Sequence, residues 1–392
     1  MMAGLDCGAH IGTMRIAIVH DTIVVRGGAE IVLDQLLILY PKADIFTLVR
    51  SLTDDEIPLL RQRTVHTSFI QKLPFAKTRY RSYLALMPLA IEQFDLSGYD
   101  LVVSSSFCAA KGVITGPHQT HVSYVHSPVR YAWDMYHTYL REAGLERGLK
   151  GLIAKLVLHY IRIWDVRTAN GVDVYIANSD FIAKRIWKVY RRKSHVVYPS
   201  VTLEDLHVQE HKLDYYFVTP RMVPYKLIPL IVKSFSQTPG RRLVVAGDGP
   251  ELSKAKAEAG PNIEFIGFVD RAKLVMTMAA AKAFVYAARE DFGIVMVEAQ
   301  ACGTPVIAFG EGGALETVVD GQTGILFFEQ TSEAIVAAVD RFERDGVGKN
   351  AGEISAHAEQ FSAEKFRNKI QAIVEDALHK NKSHHLDISV RL

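Results

Sequence analysis

Two carboxylates with seven residues between them, Glu290 and Glu298, carry the strongest chemical signal in this 392-residue chain. They lie in YAAREDFGIVMVEAQACGTPVIAFGEGGALETVVDGQTGIL, residues 286–326. The apolar runs KAFVYA (282–287) and PVIAF (305–309) read as buried strands, and the stretch between them reads as a helix, which makes a βαβ unit. Residues just past the first strand lie at its carboxyl end, where open α/β sheets hold ligands. Gly293 opens the helix and lets backbone approach a ligand, while the first helical N–H groups have no internal partner and sit at the positive end of the dipole. A phosphate suits that position. Glu290 is a poor phosphate ligand and a good acceptor for hydroxyls, and Glu298, inside the helix, can accept hydroxyls too. Phosphate donors beside two hydroxyl-binding carboxylates point to a nucleotide sugar.

A second pair of groups fits the same ligand. In TPRMVPYK (219–226), Arg221 and Lys226 follow another strand and can clamp a diphosphate, the arginine through its planar fork. AGDGPE (246–251) contains a Gly-Asp-Gly turn, read as structural. GFVD (267–270) lies at a further strand end. In the first half, Gly27-Gly28 marks a strand-to-helix turn, SYVHSPVRYAWD (123–134) places His126 at a strand end with Arg130 and Asp134 behind it, and Lys111 lies near another strand end as a candidate acceptor contact.

Taken together these motifs resemble the retaining glycosyltransferases of family 4, most closely the bacterial polysaccharide mannosyltransferases. Glu290 and Glu298 match the Glu-x7-Glu signature, with the flanking FG, CGTPVIA and GGALE…DGQTG. Arg221 and Lys226 match an Arg-Leu-x-x-x-Lys element, with Met222 in place of leucine and with Leu227 and Pro229 in a segment that is more polar in many relatives. HSPVRYAWD matches the mannosyltransferase motif, and Gly27-Gly28 the family's GGAE turn. The resemblance covers residues 14–375 and implies a GT-B fold, α/β, with two Rossmann-like domains facing each other across a cleft. It implies that Arg221, Lys226 and the helix at Gly293 stabilise the leaving diphosphate, that Glu290 orients the sugar hydroxyls and Glu298 the ribose, and that His126 positions the sugar. Gly27, Gly28, Phe268, Val269, Asp270, Asp291, Phe292, Gly293 and Ile294 are further donor-binding candidates, and Arg130 and Asp134 acceptor candidates. The acceptor hydroxyl would attack from the face the diphosphate leaves, and a phosphate oxygen would take its proton. The implied donor is GDP-mannose, with UDP-glucose next, and the implied acceptor is a lipid-linked oligosaccharide of bacterial surface polysaccharide synthesis. No Asp-x-Asp element follows a strand, so no obligatory metal or other cofactor is expected. The rival readings are a nucleotide-sugar epimerase of the same architecture, which would not need HSPVRYAWD, and a non-catalytic nucleotide-sugar-binding module.

Strand and helix patterns alternate through both halves, and the polar segment LEDLHVQEHKLD (203–214) separates them. The expected organisation is a disordered extension at 1–13, an acceptor domain at 14–203, a nucleotide-sugar domain at 204–365, and a terminal helix at 366–392 that crosses back to the first domain and ends in a mobile tail after His379. Net charge is only +2, which excludes a nucleic-acid binder on composition, yet it is uneven. Residues 1–200 carry a balance of +7 and residues 201–392 one of −5. Two stretches rich in basic and apolar residues, 61–90 and 147–164, suit an anionic membrane surface as well as a solvated basic face. No apolar run reaches the roughly 18 residues that a spanning helix needs. Cys7, Cys108 and Cys302 fit neither a zinc site nor a disulfide framework, and the N-terminus lacks the apolar core of a secretory signal. The expected location is the cytoplasm, peripherally on the inner face of the cytoplasmic membrane.

Overall fold

The computed structural model describes residues 14–219 and 221–389. The expected extension at 1–13, with Cys7, lies outside the described residues. The chain divides into two compact units, one within Met1–Pro199 and Phe366–Leu392, the other Ser200–Lys365.

The first unit holds a parallel sheet of β1 (Ile16–Ile23), β2 (Asp44–Arg50), β3 (Val65–Thr67), β4 (Leu101–Ser106), β5 (Thr120–Val125), β6 (Val174–Ala177) and β7 (Ser194–Val196), in the order β3-β2-β1-β4-β5-β6-β7. All eight residues of β1 are buried, because helices cover both faces of the sheet. Successive side chains alternate between the faces. Ile18 joins Leu33, Val103 and Tyr124 on one side, and Ala17 and Val19 join Val102, Met87 and Trp164 on the other. The apolar start of β1 continues into the polar residues His20, Asp21 and Thr22, all buried toward its carboxyl end. Asp21 survives there because its carboxylate accepts four backbone N–H groups, from Phe107 (2.5 Å), Cys108 (2.7 Å), Ala109 (2.5 Å) and Ala110 (2.7 Å). That clamp fixes the loop after β4.

The terminal helix, Ala363–Ser389, inserts Phe366, Ile370 and Val374 into the core of the first unit. It runs past His379, where a mobile tail was expected. No Gly or Pro interrupts it, and the Asn381 side chain donates to the Gln119 carbonyl (3.1 Å) and the Thr120 hydroxyl (2.9 Å).

The second unit repeats the plan with β8 (Leu213–Val218), β9 (Leu243–Ala246), β10 (Ile263–Gly267), β11 (Ala281–Tyr286), β12 (Val306–Phe309) and β13 (Gly324–Phe327), ordered β10-β9-β8-β11-β12-β13 and parallel throughout. Strand order reverses between β8 and β11, as it does between β1 and β4 in the first unit. Ligands in such sheets bind outside the carboxyl ends at that switch point. Among the described residues no helix is long and apolar enough to cross a membrane.

Candidate functional site

In the second unit the groups read from the sequence collect at the carboxyl ends of β8 and β11. The loop 287–293 leaves β11 and enters the helix Ile294–Ala301 at Gly293, whose φ of +89° places it in the left-handed region. The backbone of Glu290 is held by the glycine pair of GEGG: the Gly313 N–H donates to the Glu290 carbonyl at 2.8 Å, and Gly312 pairs with Glu290 as an isolated bridge. A Cβ on Gly313 would lie 2.2 Å from the Phe292 carbonyl oxygen, so the approach demands glycine. The Glu290 carboxylate is thereby aimed at Lys226, with which it forms an ion pair, and it accepts the Tyr286 hydroxyl at 2.7 Å. The Lys226 ammonium also donates to the Tyr286 hydroxyl and lies 5.2 Å from the ring centres of both Tyr225 and Tyr286. Burial, aided by the neighbouring Glu290 carboxylate, holds the Tyr286 phenol well above its usual range, so it stays a donor.

Arg221 is exposed on the loop after β8. Met222, the departure from the family's leucine, is fully buried, and its carbonyl accepts the Glu251 N–H at 3.0 Å while Gly249 packs against it. The Gly-Asp-Gly turn therefore braces the Arg221–Lys226 loop. Leu227 adopts φ +54° and Pro229 lies in the first turn of the helix Ile228–Ser236, which together start that helix sharply after Lys226.

The remaining donor candidates separate into different roles. Glu298 is bonded to Arg271 Nη1 at 2.7 Å, and Arg271 also reaches Asp205 at 2.7 Å. Burial raises the Glu298 carboxyl, and Arg271 pulls it down. Phe292 is core: its ring is buried and packs edge-on against Phe361 with centres 5.4 Å apart, so only its backbone can serve a ligand. Phe268 is 87% exposed just past the end of β10, so its ring is not part of the core. Val269 is half-buried against the core, and the Asp270 side chain caps the helix Arg271–Ala280 by accepting the Lys273 N–H at 2.8 Å. That bond occupies one Asp270 carboxylate oxygen. Asp291 and Ile294 flank Gly293 on either side of the helix start.

In the first unit His126 follows β5, and its Nε2 lies 2.8 Å from the Ser105 hydroxyl. The same hydroxyl is 3.0 Å from His20 Nδ1, since His20 and Ser105 are neighbours in the β1–β4 register. His20 Nε2 lies 3.6 Å from Glu30, and the other oxygen of Glu30 accepts the Gly27 N–H at 2.9 Å. A chain of contacts therefore links the Gly27-Gly28 turn to His126. Burial, with some help from His20, pushes the His126 imidazole down to about 3, so it is neutral at ordinary pH. Asp134 pairs with Arg185. Arg130 lies at the turn before it, where its carbonyl accepts the Trp133 and Met135 N–H groups.

Lys111 does not belong with the acceptor candidates. It is 2% exposed, and its ammonium donates to the Asp165 carbonyl (2.7 Å) and the Thr168 hydroxyl (3.0 Å) and pairs with the Asp165 carboxylate at 3.0 Å. Asp165 is completed by the Trp133 indole and the Tyr190 hydroxyl. Lys111 is a buried structural ion, invisible as such in a sequence where lysine near a strand end reads as exposed.

Sequence reasoning missed Tyr286, Arg271, Asp205, Ser105 and His20. Tyr286 had a signal, a tyrosine at the very end of an apolar strand, where a hydroxyl emerges beside the loop. Arg271 stands directly after GFVD. Ser105 and His20 had none, because their partners come from strands far apart in sequence. Among the described residues no group of three or more His, Cys, Asp or Glu is placed to hold a metal ion.

Two family models match consecutive parts of the chain: Glycosyltransferase Family 4 over residues 26–205 and Glycosyl transferases group 1 over residues 203–361. Among similar sequences, a D-inositol 3-phosphate glycosyltransferase of Mycobacterium leprae is 30% identical over 230 residues, covering 51% of this chain and 54% of that protein. A GDP-mannose-dependent monoacylated alpha-(1-6)-phosphatidylinositol monomannoside mannosyltransferase of Corynebacterium glutamicum is 30% identical over 203 residues, 45% of this chain and 53% of that protein. The chain thus spans about half the length of the curated relatives it matches. Among solved structures, Anabaena Alr3699/HepE in complex with UDP and glucose superposes with a TM-score of 0.65 at 19% identity, over 92% of this chain and 99% of that one. Sucrose-phosphate synthase from Thermosynechococcus elongatus gives 0.68 at 17% identity, over 94% and 100%. With both family models matched in sequence order and a Rossmann-like parallel sheet in each unit, the chain belongs to the family 4 glycosyltransferases and has the GT-B fold.

Proposed function

We propose that this protein is a retaining glycosyltransferase that moves a hexose, mannose from GDP-mannose, onto a lipid-linked oligosaccharide in bacterial surface polysaccharide synthesis, working at the inner face of the cytoplasmic membrane. The observation that carries the reading is the cluster of Lys226, Tyr286 and Glu290 beside the helix start at Gly293, at the switch point of the second sheet. A cation next to free helical N–H groups suits a departing diphosphate, and a carboxylate and a phenol beside it suit sugar hydroxyls. Arg221, exposed on the adjoining loop, adds a second cation for the phosphates. Glu298, held by Arg271, takes the ribose in this reading. Neutral His126 takes a hydroxyl of the transferred sugar, and Arg130 and Asp134 serve the acceptor. No protein nucleophile is assigned: the acceptor hydroxyl bonds to the anomeric carbon as the bond to the diphosphate breaks, and a phosphate oxygen receives the hydroxyl proton. The name of the Corynebacterium relative and the HSPVRYAWD stretch favour GDP-mannose. The UDP and glucose in the Anabaena structure make UDP-glucose the donor to compare.

The test is transfer of labelled sugar from GDP-mannose and from UDP-glucose to a lipid extract of bacterial membranes, with Glu290→Ala beside the wild type. Lipid-linked product from GDP-mannose, lost at least a hundredfold in the variant, is the expected result. Product from UDP-glucose alone overturns the donor. Conversion of the nucleotide sugar without lipid product replaces transfer by epimerisation, and binding without turnover leaves a non-catalytic module.

A further inference from the structure

The helix Gly148–Thr168 is apolar on two opposite faces, and only one of them is covered. The covered face carries Leu158 and Ile161, packed with Val129, Ala132 and Leu140, and Trp164 on the core of the first unit. The other presents Leu149, Leu152, Ile153, Leu156, Tyr160 and Ile163, spaced three or four residues apart along one stripe. Their exposure is high, 74% at Leu149, 60% at Leu156 and 58% at Ile163. A helix that is hydrophobic all round is ordinarily buried all round, so this stripe calls for an occupant.

Charge identifies its class. Arg147, Lys150 and Lys155 border the stripe, and the one acid of the helix, Asp165, is fully buried against Lys111. The adjoining segment repeats the pattern. From Ile57 to Ile91 the chain has six Lys and Arg and no Asp or Glu. Within it Lys72, Lys77, Arg79 and Arg81 are exposed around Phe75, itself 71% exposed. This segment lies against the helix: Leu84 packs on the cluster of Leu158 and Ile161, and Glu92, just after it, accepts the Trp164 indole N–H at 2.8 Å. A second copy of the chain docking through the same patch would set these cations against their own kind. A surface of anionic headgroups over acyl chains satisfies both the cations and the apolar stripe.

We infer that the helix Gly148–Thr168, with the 72–81 segment beside it, is the face by which this protein sits on an anionic lipid bilayer, the helix lying in the interface with Leu149, Leu152, Leu156 and Ile163 in the acyl boundary. The inference deepens the reading of a lipid-linked acceptor and rests on it for its purpose, though not for its physics. Long lysine and arginine side chains at the margins keep their charge among headgroups while their stems lie along the apolar surface.

The experiment is sedimentation of the full chain with vesicles of phosphatidylcholine alone and of phosphatidylcholine with phosphatidylglycerol, at low and high salt. Wild type is expected to sediment with the anionic vesicles and to be partly released by salt. Leu152→Glu with Leu156→Glu, both surface positions, is expected to weaken binding at least tenfold with an unchanged thermal melt. Arg147→Glu with Lys150→Glu should remove the salt-sensitive part. Wild type left in the supernatant, or a double leucine variant that binds as wild type does, overturns the inference. So does a wild-type dimer in light scattering that the leucine changes convert to monomer, since a second copy then covers the stripe. Transfer to a detergent-dispersed acceptor separates the two readings: it persists in the leucine variant if only docking is lost, and it is absent from wild type with vesicle binding intact if the transferase reading alone fails.

Discussion

Ser105 has one hydroxyl proton and two imidazoles to satisfy, and its neighbours decide which receives it. His20 Nε2 faces the Glu30 carboxylate at 3.6 Å, where a lone pair would be repelled, so Nε2 carries the proton and Nδ1 accepts from Ser105. The Ser105 oxygen then accepts from His126 Nε2–H at 2.8 Å, which leaves His126 Nδ1 as a lone-pair acceptor. A neutral imidazole with that tautomer suits a sugar hydroxyl as donor. In Ser105→Ala the tautomer of His126 is no longer imposed. The expected result is a fall in kcat of about tenfold, equivalent to about 1.4 kcal/mol, with donor KM little changed. Steady-state kinetics beside a thermal melt checks it, and an unaltered kcat would remove His126 orientation from the mechanism. Lys226 and Glu290 neutralise each other as an ion pair, and in the proposed reading a phosphate would compete for the cation and a sugar hydroxyl for the carboxylate.

The loop between β11 and the helix Ile294–Ala301 carries Glu290, but a neighbouring element holds it in place. Glu290 is aimed by a second loop, after β12, whose Gly312 and Gly313 lie against residues 290–292. Gly313 has φ −62° and ψ −20°, a conformation alanine adopts freely, so any cost of Gly313→Ala is steric. Its methyl would lie 2.2 Å from the Phe292 carbonyl oxygen and 2.3 Å from its Cα, both backbone atoms that cannot swing aside. The expected loss is about 2–3 kcal/mol of stability in urea unfolding, with transfer reduced at least a hundredfold as Glu290 shifts. Gly240→Ala, with open space at its Cβ, serves as the control and is expected to be near neutral. A Gly313→Ala variant as stable and active as wild type would show that this contact positions nothing. What the sequence disclosed divides along the same line. Glu290, Gly293, Arg221 and Lys226 were legible because each follows an apolar strand in the chain, and the strand order then brings those ends together. Ser105 and His20 meet across β4 and β1 from 85 residues apart, and nothing local marks either. Lys111 was misplaced for the converse reason: its partner Asp165 lies in a helix 54 residues on, and burial of an ion pair leaves no trace in hydropathy.

At the scale of the whole molecule, the chain enters the first unit, leaves it near residue 199 and returns at Phe366, so one unit is built from both ends. All three tryptophans, Trp133, Trp164 and Trp187, belong to that unit, and their fluorescence reports its unfolding alone. The unit contains a histidine whose linkage to stability can be read. His121 is fully buried in β5, with Nε2 2.8 Å from the Ser104 hydroxyl and Nδ1 3.1 Å from the Gly171 carbonyl. Burial pushes its imidazole down to about 4; the Gly171 carbonyl raises it a little and the Lys111 ammonium lowers it. A folded value below the unfolded one means the unfolded chain binds the extra proton. The contribution is therefore complete above the unfolded histidine value, about 6.5, and is lost as pH falls toward 4. Between pH 7 and pH 5 this amounts to about 2 kcal/mol. His126 acts with the same sign, whereas the carboxyls of Asp21 and Asp34, which burial raises, act against it. The net slope of wild type thus mixes several groups, and the difference against His121→Gln isolates one. Urea unfolding followed by tryptophan fluorescence at pH 7 and pH 5 is expected to show the variant losing about 2 kcal/mol less than wild type over that interval. Equal losses in both proteins would mean that His121 takes up its proton without leaving the folded core, and that Ser104 and Gly171 accommodate the charged ring.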